Sequence, residues 1–346
     1  MPALRDIKDL TFSDLQTYLE QNNQPVFRAQ QIFTWLYHQE AKNFQEMKNI
    51  PPSLRAQLAR DFLFSEPRLE KEQLSKDGTK KFLLSVGPKE RIETVFIPSQ
   101  KRGTICLSTQ VGCKFGCAFC ASGLNGWQRN LSCAEILNEI LFVQRSIKPK
   151  EVTHVVFMGT GEPLDNYDNV MSAVNIIHDP HAFNIGARRM TISTCGIIPA
   201  IDRLSQEGLQ FELSISLHGY DKKSREILMP ISRQYAFDDL IEACRQYYKA
   251  TNRQITFEYI LIKGVTCSSQ AVQSLKKAFQ GLMCKMNLIV YNPIKEFDFE
   301  APSREEIDDF CKALKAAGIL ATLRTPRGKD IQGACGQLRH IQKLTE

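Results

Sequence analysis

The chain has 346 residues, 43% hydrophobic and 24% charged, which is enough to bury a sizeable core and excludes wholesale disorder. Its formal net charge of +6 is a mild basic excess, compatible with an RNA partner but carried by many soluble enzymes. The segment MPALRDIKDL has no apolar signal-peptide core, and no run approaches the roughly eighteen apolar residues of a membrane span, so a cytoplasmic protein without a membrane partner is expected.

The first 65 residues read as helices. TFSDLQTYLEQN offers Ser13 as an N-cap and spaces Leu15, Tyr18 and Leu19 on one face. VFRAQQIFTWLYHQ carries a stripe of Phe27, Ile32, Phe33, Leu36 and Tyr37, and Pro51-Pro52 opens a third helix through Leu54 and Leu58. From Arg68 the pattern alternates, through RLEKEQLS, a Lys76-Asp77-Gly78 turn, KKFLLSV and RIETVFIP, as in a strand meander.

Beyond residue 100, apolar runs at 104–109, 152–158, 189–194, 210–217, 254–262 and 287–291 read as buried parallel strands. Helical patterns near 132–147, 166–178, 197–207, 236–249, 268–280 and 303–317 separate them, the first with a capping box of Ser132 and Glu135. This predicts a parallel α/β architecture and leaves barrel and open doubly wound sheet as alternatives. GTGEP (159–163), STCG (193–196), SLHG (216–219) and YNP (291–293) each follow the C-terminal end of a predicted strand, as does the cysteine-rich QVGCKFGCAFCASG. Five strands therefore aim polar ends at one place, the ligand-binding end of such folds.

Eleven cysteines in a long chain without an export signal point to a reducing compartment. Those at 133, 195, 244, 267, 284 and 311 read as small buried hydrophobes. Cys113, Cys117 and Cys120 form C-x3-C-x2-C. Structural zinc would want a second ligand pair, and a redox dithiol would leave Cys113 without a role. A 4Fe–4S cube on three thiolates leaves one iron open to a small molecule, which is the favoured reading.

The triplet, with Phe119 before its last cysteine, resembles the radical S-adenosylmethionine superfamily. The resemblance implies one 4Fe–4S cluster on Cys113, Cys117 and Cys120, with S-adenosylmethionine bound at the open iron and reductively cleaved to a 5′-deoxyadenosyl radical. GTGEP is similar to the GGEP-type motif, so Gly161 and Glu162 would meet the methionine amino group. Ser193, Ser216, Leu217, His218 and Asn292 match positions that bind the rest of the cofactor. The implied fold is α/β, a partial (β/α)6 TIM-like barrel.

RGTICLSTQVGCKFGCAFCASG, GWQRNLSCAEI, FMGTGEPLDNYDNV, HGYDKKSREILMPI and GKDIQGACGQL jointly resemble the RlmN-type RNA adenine carbon-2 methyltransferases, nearly end to end. That implies a helical RNA-binding accessory domain at 1–65, a meander at 66–98, the barrel at 99–329 and a C-terminal segment at 330–346. By the same resemblance, Cys335 accepts a methyl group, Glu93 accepts the carbon-2 proton, and Cys106 resolves the RNA adduct through a transient disulfide with Cys335. Two S-adenosylmethionine molecules serve each turnover. The implied partners of the monomer are 23S rRNA at the peptidyl-transferase region, tRNA at the adenosine 3′ of the anticodon, and a flavodoxin- or ferredoxin-type electron donor.

On residues alone, Cys106 is a buried strand thiol, Cys335 a tail cysteine and Glu93 an outward-facing charge. Cfr-type methylation of carbon 8 and a non-catalytic zinc-dependent RNA-binding protein are the competing readings. Lys101, Arg102, Arg129, Lys222, Lys223, Arg324, Arg327 and Lys329 are candidate phosphate contacts at the open end. Thr160 and Cys195 depart from the commoner family residues Met and Ser without removing a proposed ligand.

Overall fold

In the N-terminal region Thr11, not Ser13, caps the first helix, α1 (Phe12–Gln21). Its hydroxyl accepts the Asp14 N–H at 3.1 Å, and the Asp14 carboxylate accepts the Thr11 N–H at 3.0 Å, a reciprocal box that leaves Ser13 inside the first turn. Helix α2 (Arg28–Phe33) passes into a π-helical turn, Thr34–His38, which carries Leu36 and Tyr37 into the core. Helix α3 (Pro52–Asp61) starts at a proline that needs no N–H there and buries Leu54 and Leu58. The computed structural model describes residues 4–338. Residues 339–346 of the expected C-terminal segment lie outside the described residues.

The meander forms as expected: β1 (Arg68–Leu74), β2 (Lys80–Ser85) and β3 (Arg91–Pro98) pair antiparallel. It is also an integral part of the main sheet, because β3 pairs antiparallel with β4 (Gly103–Cys106). From β4 the sheet is parallel through β7 (His154–Phe157), β8 (Met190–Thr194), β9 (Glu212–Ser216), β10 (Ile255–Leu261) and β11 (Cys284–Val290). A short further strand, β12 (Ala321–Leu323), pairs parallel with β11. Its three residues are too few to register as a periodic pattern. Among the described residues the sheet runs β1-β2-β3-β4-β7-β8-β9-β10-β11-β12, with β1 and β12 as free edges. It is an open, partial barrel.

Outer helices cover the parallel strands: α4 (Cys133–Ile147), α5 (Tyr167–His178), α6 (Ile198–Leu204), α7 (Lys222–Leu228), α8 (Phe237–Thr251), α9 (Ser269–Ala278) and α10 (Arg304–Ala316). Strand β10 is buried along its whole length, as a strand packed on both faces must be. The N-terminal helices rest on this layer, where Asp9 accepts the Ala134 N–H at 2.6 Å and Phe12 stacks on His181. None of the described helices is long and apolar enough to cross a membrane.

The predicted strand at 104–109 ends at Cys106, and the chain then makes a small hairpin of β5 (Gln110–Gly112) and β6 (Trp127–Asn130). The cysteine triplet is the loop of that hairpin rather than a direct continuation of the first parallel strand. The extra strand pair anchors both ends of the loop.

Candidate active site

A cavity of about 150 Å³ opens at the C-terminal ends of the parallel strands. Cys113, Cys117 and Cys120 form one wall; Gly161, Glu162, Ser193, Ser216 and His218 come from three successive strand ends, and Cys335 closes the floor. The structure thus brings together, from residues 113 to 335, most of what the sequence singled out.

The cysteine loop is held by backbone bonds: Cys113 N–H to Gly126 carbonyl at 3.1 Å, Ala118 N–H to Leu228 carbonyl at 2.9 Å, and Ala121 N–H to Gly336 carbonyl at 2.7 Å. The three thiols are free and packed among Phe115, Phe119 and Met229. Burial pushes all three upward, Cys113 to about 12. As thiolates they need a compensating metal charge, and soft sulfur donors select zinc or iron–sulfur. Among the described residues no three His, Cys, Asp or Glu side chains converge to hold a single metal ion. Three soft sulfur donors lining one cavity suit an iron–sulfur cluster by their chemistry.

The GTGEP loop is built against this hairpin. Gly161 has φ +106°, and a Cβ there would lie 2.6 Å from Cβ of Gln110, so glycine is required twice over. Gln110 accepts the Glu162 N–H at 2.9 Å and donates to Asn130 and Asp165, each at 2.8 Å. The Glu162 carboxylate accepts the N–H groups of Leu164 at 3.0 Å and Cys195 at 2.7 Å. Burial raises its pKa and these hydrogen bonds oppose the shift. Each accepted bond orients one carboxylate oxygen, which leaves further lone pairs for an ammonium group. Thr160 serves here through its backbone, whose N–H donates to Ser108 Oγ at 2.9 Å, so the departure from methionine costs the loop no partner.

His218 adopts φ +52° at the end of β9. Its Nδ1 accepts the Ile260 N–H at 3.1 Å, which assigns the ring proton to Nε2. Burial, then the nearby Arg225 guanidinium, lower its pKa to about 3, so it stands as a neutral donor. Leu217 is fully buried and does not line the cavity; its N–H donates to the Glu258 carbonyl at 3.0 Å and its carbonyl accepts from Arg225 Nε at 3.1 Å. Asn292 is buried behind Cys335, with Nδ2 at 3.5 Å from the Cys335 carbonyl.

Cys335 is exposed into the cavity, whereas Cys106, the last residue of β4, is buried against Val95 and Leu338. Both thiols are free. The surrounding protein pushes both pKa values up, and at Cys335 the Arg324 guanidinium opposes the shift without reversing it. Glu93 is buried, not outward-facing, and its carboxylate pairs with Lys81 at 2.9 Å. Its carbonyl accepts Ser108 Oγ at 2.8 Å, and the same oxygen receives the Thr160 N–H, so one serine joins the β3 strand to the GTGEP loop.

The Radical SAM superfamily profile matches residues 107–270, and the Ribosomal RNA large subunit methyltransferase N-terminal domain profile matches residues 5–63. A probable dual-specificity RNA methyltransferase RlmN of Clostridium novyi is 42% identical over 337 residues, covering 97% of this chain and 98% of the relative. One from Clostridium botulinum is 43% identical and covers 99% of both chains. The chain belongs to the RlmN family. A crystal structure of a radical SAM methyltransferase from Sphaerobacter thermophilus superposes with a TM-score of 0.92 at 41% identity, covering 97% of this chain and 99% of that one. As a member of the RlmN family the protein is a radical SAM RNA methyltransferase, and superfamily membership implies a 4Fe–4S cluster and S-adenosylmethionine.

The eight candidate phosphate contacts do not share one face. Lys101 and Arg102 form the turn between β3 and β4 and therefore lie at the N-terminal end of β4, opposite the cavity. Arg129 is held by Glu90 at 2.6 Å and Glu135 at 2.7 Å. Arg324 lines the cavity and pairs with Glu258 at 3.4 Å, while Arg327 stands 4.0 Å from Asp77. Lys222, Lys223 and Lys329 are exposed, the first two opening α7 just after the His218 turn. Periodicity locates such residues in the chain but not on a face.

The sequence reading also missed Arg225. This fully buried guanidinium donates to the carbonyls of Leu217 at 3.1 Å and Cys195 at 2.6 Å and to Ser232 Oγ at 2.6 Å. It fastens the β8 and β9 ends to each other, and hydrogen bonds of this charged type contribute about 1.5–3 kcal/mol each. Its one signal was its place in HGYDKKSREILMPI.

Proposed function

We propose that this enzyme methylates carbon 2 of adenosine in 23S rRNA and in tRNA through a methyl group carried on Cys335. The observation that carries the reading is the common cavity: Cys335 lines it together with the three cluster cysteines, and Cys106 lies within electrostatic reach of Cys335. Carbon 2 of adenine has no nucleophilic lone pair, and its hydrogen is not acidic enough for direct removal by a side chain. A direct polar methyl transfer has nothing to work with.

Cys113, Cys117 and Cys120 would hold the cluster, with Gly161 and Glu162 receiving the methionine amino group. Ser193, Ser216, His218 and the backbone at Leu217, with Asn292 behind, would receive the remainder of the cofactor. When bound, the cluster and S-adenosylmethionine together supply an electron and a 5′-deoxyadenosyl radical able to take a hydrogen atom from an S-methyl group. Cys335 first acts as a thiolate nucleophile: its sulfur bonds the methyl carbon as the sulfonium C–S bond breaks. A second molecule of donor is needed for the radical, hence two per turnover.

Once the Cys335 methylene radical has joined carbon 2, the adduct would return its unpaired electron to the oxidised cluster and Glu93 would take the carbon-2 proton, which restores the aromatic ring. Cys106 then attacks the Cys335 sulfur, and an S–S bond forms as the S–CH2 bond breaks. The electron pair passes to the methylene carbon, which takes a proton and becomes the product methyl group. Two electrons from an external donor of flavodoxin or ferredoxin type restore the thiols. The target base must leave its stack to reach the cavity. The helical N-terminal unit is the RNA-binding accessory domain in this reading, and the enzyme acts as a cytoplasmic monomer.

Mass spectrometry of nucleosides from treated 23S rRNA and tRNA tests the assignment. 2-Methyladenosine from both substrates is expected. An 8-methyl product would transfer the enzyme to the Cfr-type reaction, and unmodified tRNA would remove the dual specificity.

A further inference from the structure

Register places a buried ion pair beside the two relay cysteines. Lys81 on β2 lies directly opposite Val95 on β3, and Val95 lies directly opposite Cys106 on β4. Directly opposed residues share a face of the sheet, and Glu93, two positions from Val95, shares it as well. Lys81, Glu93 and Cys106 therefore stand on one face. The Lys81 Nζ to Glu93 Oε1 distance is 2.9 Å, and each side chain is only 6% exposed.

Two details give this pair a purpose beyond charge balance. The second carboxylate oxygen of Glu93, Oε2, is buried and has no hydrogen-bond partner among the described residues. An unused acceptor on a buried carboxylate is unusual enough to need a reason. In addition, Lys81 Nζ donates to the Gln332 carbonyl at 3.1 Å, three residues before Cys335. The β1–β2 turn grips the same loop, with Ser75 Oγ donating to Asp330 Oδ1 at 2.5 Å, the Lys76 N–H to Asp330 Oδ2 at 3.1 Å, and the Gly328 N–H to Asp77 Oδ2 at 3.1 Å. Lys81 joins this gripped loop to Glu93.

We propose that Lys81 is a positioning residue that couples the proton acceptor to the methyl-carrier loop. It pins one oxygen of Glu93 and leaves Oε2 free to accept the carbon-2 proton. Through Gln332 it keeps the backbone leading to Cys335 in register with that oxygen. The inference rests on the roles given to Glu93 and Cys335 under Proposed function. In the step concerned the C2–H bond breaks, the proton passes to Oε2 and the electron pair returns to the adenine ring. Lys81 exchanges no proton and touches no substrate.

The test uses full-length, cluster-reconstituted enzyme carrying Lys81→Met, Glu93→Gln or both, with RNA deuterated at carbon 2 of the target adenosine. Lys81→Met is expected to methylate Cys335 as the parent does, by peptide mass. It should then accumulate a covalent RNA adduct that retains deuterium and release product roughly a hundredfold more slowly, the scale of a general-base contribution. KM for RNA should stay within about twofold, and the double variant should be no slower than Glu93→Gln alone, because the two act as one unit.

Loss of Cys335 methylation in Lys81→Met, parental turnover, or multiplicative effects in the double variant would each overturn the proposal while leaving Glu93 as the base. Parental turnover by Glu93→Gln would instead remove Glu93 as the base, and Lys81 with it. Where Lys81→Met does not fold, Lys81→Gln, which keeps a donor for the Gln332 carbonyl, is read in the same way.

Discussion

Cys335→Ala is expected to take no methyl group from S-adenosylmethionine, to form no RNA adduct and to lose product formation by on the order of 10⁴-fold or more, as for removal of a covalent nucleophile. The expectation follows from geometry. Of the two proposed relay thiols Cys335 is the one that opens into the cavity, and its loop is fixed on both sides: the Gly336 carbonyl accepts the Ala121 N–H at 2.7 Å, and Lys81 holds the Gln332 carbonyl at 3.1 Å. Arg324 opposes the upward pull of burial on the Cys335 thiol without cancelling it. Reconstitution with S-adenosylmethionine labelled in its methyl group, followed by peptide mass spectrometry, checks the first half-reaction without relying on turnover. Retained turnover in this variant would refute the carrier.

Cys106→Ala should fail at the opposite end of the sequence. Cys335 remains free to be methylated and to bond carbon 2, but no thiol remains to displace it from sulfur. The enzyme is expected to stop after one event, as a covalent protein–RNA species approaching one RNA per active chain. Denaturing electrophoresis before and after nuclease digestion measures that fraction. The structure makes the two cysteines unequal in the required sense: Cys106 is buried at the end of β4 against Val95 and Leu338, and Cys335 faces the cavity. Multiple turnovers without an adduct would mean that another group performs the release.

How much of this could be read beforehand depended on whether a residue's role is set by position along the chain or by pairing across the fold. The cysteine triplet and the GTGEP, STCG and SLHG segments were legible because catalysis at strand ends leaves compact, contiguous marks. Gly161 is the plainest case, a positive-φ residue at which an added Cβ would lie 2.6 Å from Gln110. The six main strands were legible from buried apolar runs, though β12, with three residues, was not.

Glu93 could be named only by resemblance. Its burial, its free oxygen and its neighbour Lys81 depend on the β2–β3–β4 register, which a single strand's alternation does not contain. Arg225 escaped for a related reason, since a fully buried guanidinium satisfied by four residues has no local signature. Lys101 and Arg102 were assigned to the wrong end because a β3–β4 hairpin reverses the chain just before the first parallel strand. Ser13 yielded to Thr11 because the capping box needs Asp14 at the third helical position.

The central claim is that Cys113, Cys117 and Cys120 leave one iron of a cubane cluster for the amino and carboxylate groups of S-adenosylmethionine. Electron–nuclear double resonance on the reduced, anaerobically reconstituted enzyme, with the donor labelled with nitrogen-15 and oxygen-17 at those two groups, tests it most directly. Hyperfine coupling of both labels to the cluster is the predicted result. A four-iron cluster whose irons are all held by protein side chains with the donor present, or a protein that takes up zinc and no iron, would contradict it.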